Sequence, residues 1–321
     1  MESCNLYEGL LAKTVLTVLN KNLGEDDISP LKKILRSMID GVIDSDKGDY
    51  LLRDSYHCGV SYGHYDIERL WRHVRITSGW ELGVTEKGAV EAWNLRLARF
   101  KMYKNVYKHH VRNITDALLI DILSKSFDYL DEEKIKDVLP TFQLSSAELT
   151  EEEILRFSLW TDNEILRKLT ELQGEAIRSE VENFMKRRLP VRFLSLFLEE
   201  FGIAEKKKEE ILKVRKVLKS LEREKGYLIL FLVNEEILPP VFTEDVQRDL
   251  LVVMDNGEEI PVAEYLRFSV KDEDLEKYAT PGLVLEIFAE RNTPGELKEI
   301  ITQRLKEDLL LENKLKGECF W

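Results

Sequence analysis

The chain has 321 residues, 47 Lys and Arg against 60 Asp and Glu, a formal net charge of -13 and 44% hydrophobic residues. That length carries about two compact domains, each able to bury a core, and the composition excludes intrinsic disorder and a fibrous repeat. The acidic balance argues against general nucleic-acid binding, which needs a clustered excess of cations, and the longest apolar run, Leu228–Val233, falls far short of the roughly 20 residues of a membrane helix.

The N-terminus opens Met-Glu-Ser-Cys-Asn-Leu-Tyr-Glu, acidic where a secretion signal would be basic, so a cytoplasmic location is expected. Cys4, Cys58 and Cys319 are odd in number and widely spaced, which speaks against structural disulfides and a Cys-x-x-Cys metal pair.

From Leu10 to about Phe201 apolar residues recur at three and four, with Gly and Pro scarce inside the segments. The pattern predicts helices at about 7–22, 28–56, 66–77, 86–126, 131–139, 150–159, 161–185 and 192–201. Ser29-Pro30 offers a cap followed by proline in the first turn, Gly79 and Gly83 interrupt after Arg75, and Thr150-Glu-Glu-Glu153 has the spacing of a capping box. After Gly202 the pattern changes. A charged helix to about Lys225 leads into strands at 227–233, 249–254, 258–262 and 283–289, with a turn at Asp255-Asn256-Gly257, and Pro294 opens a last helix to about 312. The expected fold is mainly α, a helical bundle over 1–203 followed by a smaller α+β domain over 204–321.

Two helical stretches carry chemistry. In the first, the apolar stripe Leu35, Ile39, Val42 continues through Asp46, Tyr50 and Arg53, with Lys47 and Asp54 flanking it. Buried carboxylates and guanidinium groups must be paired, so this face is either a salt-bridged core seam or the lining of a polar cleft. In the second, Arg99, Tyr103, Val106 and His110 share a face with Tyr107 beside it. A planar guanidinium, phenols and an imidazole together suit an organic phosphate. Adjacent His109 and His110 point about 100° apart on a helix, a poor arrangement for chelating one metal ion.

Read together, Asp44-Ser-Asp46-Lys47-Gly-Asp49-Tyr50-Leu-Leu-Arg53-Asp54, Asp66-Ile-Glu-Arg69-Leu70, Glu86-Lys-Gly88-Ala-Val-Glu91 and Arg99 to Tyr107 with His109 resemble the HD-domain phosphohydrolases, closest to the deoxynucleoside triphosphate triphosphohydrolases. The resemblance implies an all-α HD-type bundle holding a divalent cation (Mn, Mg, Fe or similar) through a histidine, a His-Asp pair and a later aspartate. Asp46 matches that aspartate. Lys47, Tyr50 and Arg99 match positions that hold nucleotide phosphates and sugar, Asp54 and Tyr107 positions near the sugar 3′-hydroxyl, and His109 a substrate-pocket histidine. His110 stands where relatives carry a lysine.

Only 45 residues precede Asp46, none of them histidine, and the chain contains no His-Asp dipeptide. The bundle is therefore expected to be incomplete at its N-terminus, and the metal site to need ligands from a separate small chain carrying His and His-Asp. The alternatives are a non-catalytic nucleotide-binding or regulatory protein, or an inactive truncated fragment. By analogy with the family, a homo-oligomer is expected.

Overall fold

The structure is a computed structural model and describes residues 29–129, 151, 155, 158–172, 175–201, 203, 208–235, 250–267 and 282–310. In chain order the helices are α1 (Pro30–Asp40), α2 (Ser45–Cys58), α3 (Ile67–Arg72), α4 (Ala89–Met102), α5 (His110–Tyr129), α6 (Asp162–Leu172), α7 (Glu175–Met185), α8 (Lys208–Lys225), α9 (Val262–Tyr265) and α10 (Leu297–Leu305). The strands are β1 (Val74–Ile76), β2 (Leu82–Thr85), β3 (Val191–Phe197), β4 (Ile229–Glu235), β5 (Leu251–Val253), β6 (Glu259–Pro261) and β7 (Leu283–Ala289). The helices predicted at 7–22 and 131–139, and most of 150–159, lie outside the described residues. The protein is mainly α with an α+β C-terminal part.

Two compact units divide the chain, one of residues 1–109 with 237–281, the other of 110–236 with 282–321. This is not the predicted boundary at 203/204. The reason lies in the sheets, each of which draws strands from both sides of that boundary. In the first unit, β2 pairs in parallel with β5, Val84 opposite Val252, giving the order β1-β2-β5-β6. In the second, β7 lies between β3 and β4 and is antiparallel to both.

In the first unit, Pro30 at the first turn starts α1 and Gly41 ends it. A Cβ at Gly41 would lie 2.2 Å from the Ser37 carbonyl oxygen, so only glycine allows this close turn. The helix predicted as continuous over 28–56 is thus two, and the restart moves the buried stripe. Gly48, Leu51 and Ser55 face inward on α2, whereas Asp46 and Arg53 are exposed. The predicted helix 66–77 ends at Arg72, and β1 follows. The core joins Ile43, Leu51, Leu70, Val84, Leu95 and Met102 to Leu250, Val252 and Val262.

In the second unit the sheet separates two apolar clusters. Ile229 and Val233 of β4 and Leu285 and Ile287 of β7 pack with Val214, Leu218 and Leu221 of α8 and with Leu297 and Ile301 of α10. Leu230 and Phe288, on the opposite face, pack with Ile114, Leu118 and Ile122 of α5 and with Leu169 and Val181. The segment predicted as a helix over 192–201 is strand β3, followed by a short 3-10 turn at Leu198–Phe201. Pairing with β7 on a buried sheet overrides the helical spacing of its leucines.

Candidate functional site

Asp44, only 2% exposed, caps α2: its Oδ1 accepts the Lys47 N–H at 2.7 Å, and its other oxygen takes a hydrogen bond from Lys47 Nζ. Lys47 Nζ also donates to the Gly41 carbonyl at 2.8 Å. Two of the three ammonium protons of a residue expected to hold phosphate therefore secure the helix start. Asp46 lies exposed in the first turn. Tyr65 Oη donates to the Gly48 carbonyl at 2.8 Å, and a Cβ at Gly48 would come within 3.2 Å of the Trp71 ring, so α2 is seated closely here.

Further along α2, Tyr50 and Asp54 meet residues from the end of α4. Residues Tyr103–Tyr107 form a π-helical turn in which the Lys108 N–H donates to the Tyr103 carbonyl at 2.8 Å. Across this wider turn Tyr107 meets Tyr103, which carries Arg99, and both Val106 and Tyr107 pack against the core. This corrects the α-helical face predicted from spacing, which gave that position to Val106 and His110.

Tyr107 Oη donates to Asp54 Oδ2 at 2.7 Å. The Tyr107 ring lies 6.2 Å from Tyr50 and 5.0 Å from Tyr103, edge-on to the latter, and the Arg99 guanidinium stacks on Tyr103 at 4.5 Å. Burial raises the Tyr50 pKa, although nearby Arg99 opposes it; burial and the hydrogen bond to Asp54 raise that of Tyr107. Both phenols thus remain hydroxyl donors at neutral pH. Arg99 Nε is buried and makes no hydrogen bond. A buried N–H of a charged group without an acceptor is costly, so it suits an incoming anion.

Tyr50, Asp54, Arg99 and Tyr107 are thus brought together, and Tyr103, absent from the candidate set, joins them. The signal for Tyr103 was its spacing of four from both Arg99 and Tyr107. Arg53 is turned outward, in an ion pair with Asp49 at 3.0 Å, so at this residue the stripe is not a core seam, one of the two alternatives that its spacing left open. His109 is exposed beyond the π turn, its N–H donating to the Val106 carbonyl at 3.2 Å. His110 opens α5 in the second unit, where it lines a cavity of about 1190 Å³ with Arg187, Arg188, Arg192 and Arg291.

Among the described residues no group of three His, Cys, Asp or Glu side chains could hold a metal ion. Asp46 alone does not make a transition-metal site, which needs several ligands in fixed geometry. The residues described therefore do not fit the family's cation without further donors. No helix among them is long and apolar enough to cross a membrane.

Residues 65–143 match the family model described as the HD associated region, a span that includes Arg99, Tyr103, Tyr107, His109 and His110. The human deoxynucleoside triphosphate triphosphohydrolase SAMHD1 is 27% identical over 92 residues, 28% of this chain and 14% of that protein. A solved structure of a phosphohydrolase from Bacteroides thetaiotaomicron superposes with a TM-score of 0.55 at 18% identity, covering 82% of this chain and 64% of that one. This chain carries an HD associated region. The HD-like chain is also 32% identical over 139 residues to the uncharacterized protein YwfO of Bacillus subtilis, 40% of this chain. It spans 32% of the length of that bacterial relative.

Proposed function

We propose that the HD-like chain supplies the nucleotide pocket of a metal-dependent phosphohydrolase acting on nucleotides, dNTP triphosphohydrolase-like, in which Asp46 is one metal ligand and a separate small chain contributes a histidine and a His-Asp pair. The observation that carries this reading is the cluster of Tyr50, Asp54, Arg99 and Tyr107, with the unsatisfied Arg99 Nε inside it. In this pocket Arg99 takes a phosphate oxygen in a charge-assisted contact. Asp54 accepts from the sugar hydroxyl while Tyr107 holds the carboxylate in place. Tyr50 borders the sugar, His109 lies at the substrate, and Lys47 turns its remaining proton toward the phosphates.

A second reading is a nucleotide-binding or regulatory protein without catalysis, or an inactive fragment. It is favoured by Asp46 standing without a second metal ligand among the described residues and by the engagement of Lys47 with Asp44. We further propose that the chain acts in the cytoplasm and as a homo-oligomer.

The test is triphosphate release from a dNTP mixture with Mn2+ or Mg2+, by the purified chain alone and with a companion chain carrying His and His-Asp. Release only with the companion, abolished by Asp46→Ala, is the expected outcome. Calorimetric dNTP binding without release in either case would establish the binding protein. Absence of both would leave an inactive fragment, and release by the chain alone would overturn the incomplete metal site.

A further inference from the structure

In the second unit, a groove of about 490 Å³ is lined by Ile229, Leu230, Phe231, Leu232 and Val233, five successive residues of β4. Successive side chains of a strand point to opposite faces of its sheet. A groove that touches all five therefore runs along the strand's edge, and since β7 occupies one edge, it is the other one. Its walls are the two helices that cover the sheet's faces. Ala117, Ile120, Asp121 and Ser124, spaced three and four apart, present one side of α5; Ile211, Leu212, Arg215 and Lys219 present α8. Ile120 is 53% exposed and Leu212 42%. Among the described residues no backbone group of Ile229–Val233 has a hydrogen-bond partner on this side.

An unpaired strand edge is a template for another strand, and here it is bordered by apolar walls about 17 Å long, the rise of five residues. A second, cationic trough of about 480 Å³ continues outward from the groove, sharing Asp121, Ser124, Leu212, Arg215 and Lys219 with it. It adds Lys125, Lys216, Glu222 and Arg223, so that five cations face two carboxylates. Lys125 and Lys219 are engaged by Asp121, Glu180 and Glu222, but Arg215, Lys216 and Arg223 form no ion pair with another described residue. In a chain of net charge -13 this is a local reversal of sign.

We propose that β4 is a docking edge for an extended acidic and apolar peptide segment of a partner protein, which adds as a fourth strand between α5 and α8. Main-chain hydrogen bonds to β4 provide the binding, the apolar walls take alternate side chains, and the cations of α8 select acidic residues. A second copy of this chain is the poorer occupant. Its own β4 edge is bordered by the same cations, so pairing edge to edge would place like charges together.

The probe is a fluorescein-labelled octapeptide of alternating valine and glutamate, titrated with the full chain and followed by anisotropy and by hydrogen exchange. Saturable binding is expected, with slowed exchange at Ile229–Val233. The double variant Arg215→Glu, Lys216→Glu weakens it by about tenfold, the scale of one or two lost charge contacts. Ile120→Asp weakens it as well, and both variants keep the far-UV circular dichroism of the parent because all three side chains are exposed. Of two peptides N-methylated on odd or on even residues, one loses binding, since only alternate amides face the edge. The proposal is overturned if no peptide saturates, if a lysine-for-glutamate peptide binds equally, or if both methylated peptides still bind. A concentration-dependent dimer removed by Ile120→Asp, without peptide binding, would instead assign the groove to a second copy.

Discussion

Tyr107 and Asp54 are 53 positions apart, and their 2.7 Å hydrogen bond ties the π turn to the middle of α2. Tyr107→Phe removes one hydroxyl donor from a half-buried carboxylate while keeping the ring against Tyr50 and Tyr103. The expected cost is about 1 kcal/mol of stability, read as a lower urea midpoint at unchanged slope. For the phosphohydrolase activity proposed above, the same variant is expected to raise KM several-fold, because Asp54 loses the group that orients it. At this scale the site was half legible. Tyr50, Asp54, Arg99 and Tyr107 were carried by sequence resemblance and do converge; Tyr103 was on the predicted Arg99 face, yet its ring contact with Tyr107 depends on a π turn that leaves no residue signature. The burial of Asp44 was equally unreadable, since only the break at Gly41 turns that carboxylate into a helix cap.

The elements show where periodicity suffices and where pairing decides. The hairpin over 251–261 follows from Asp255-Asn256-Gly257, with Gly257 at φ 84°, and β7 falls on its predicted residues. Strand β3 reads as a helix until β7 is beside it. Helix ends follow one rule with different residues: α2 closes in a Schellman motif on Gly59 at φ 65°, and α7 closes the same way on Arg187 at φ 54°, with the Arg188 N–H bonded to the Asn183 carbonyl. A left-handed arginine costs more than the glycine that is usual there, on the order of 1 kcal/mol. Helices α5, α7 and α8 are joined by ionic contacts. Asp121 of α5 accepts from Lys219 of α8 at 2.8 Å, and Lys125 of α5 donates to Glu180 of α7 at 2.7 Å. Burial alone would raise the Asp121 pKa, but the hydrogen bonds from Lys125 and Lys219 outweigh it and hold the carboxyl below its usual value. The unfolded chain therefore takes up this proton first as pH falls. The stabilisation is complete above about pH 4 and fades below it, as pH drops through the folded value. Urea unfolding from about pH 6 to about pH 2 should show this loss, and Asp121→Asn should flatten it.

Over the whole molecule, composition pointed to two cores and the structure has two compact units, but a single cut at 203/204 passes through both sheets. Nothing in the sequence marks that interleaving, because strand partners far apart in the chain leave no local pattern. A fragment of residues 204–321 lacks β3, so β7 keeps only β4, and two strands rarely sustain a sheet. It is expected to melt without the sigmoidal transition of the full chain, followed by circular dichroism, and a fragment of 1–203, which lacks β5 and β6, is expected to behave alike. The same interleaving sets an order of events during synthesis. Domains usually fold in turn as they leave the ribosome, the N-terminal one first. Here the first unit waits for β5 and β6, through Pro261, to complete its sheet, and the second for β7, its central strand, at residues 283–289. About four fifths of the chain must therefore be made before either sheet closes, and the nascent protein keeps apolar strands exposed long enough for chaperones to matter to its yield.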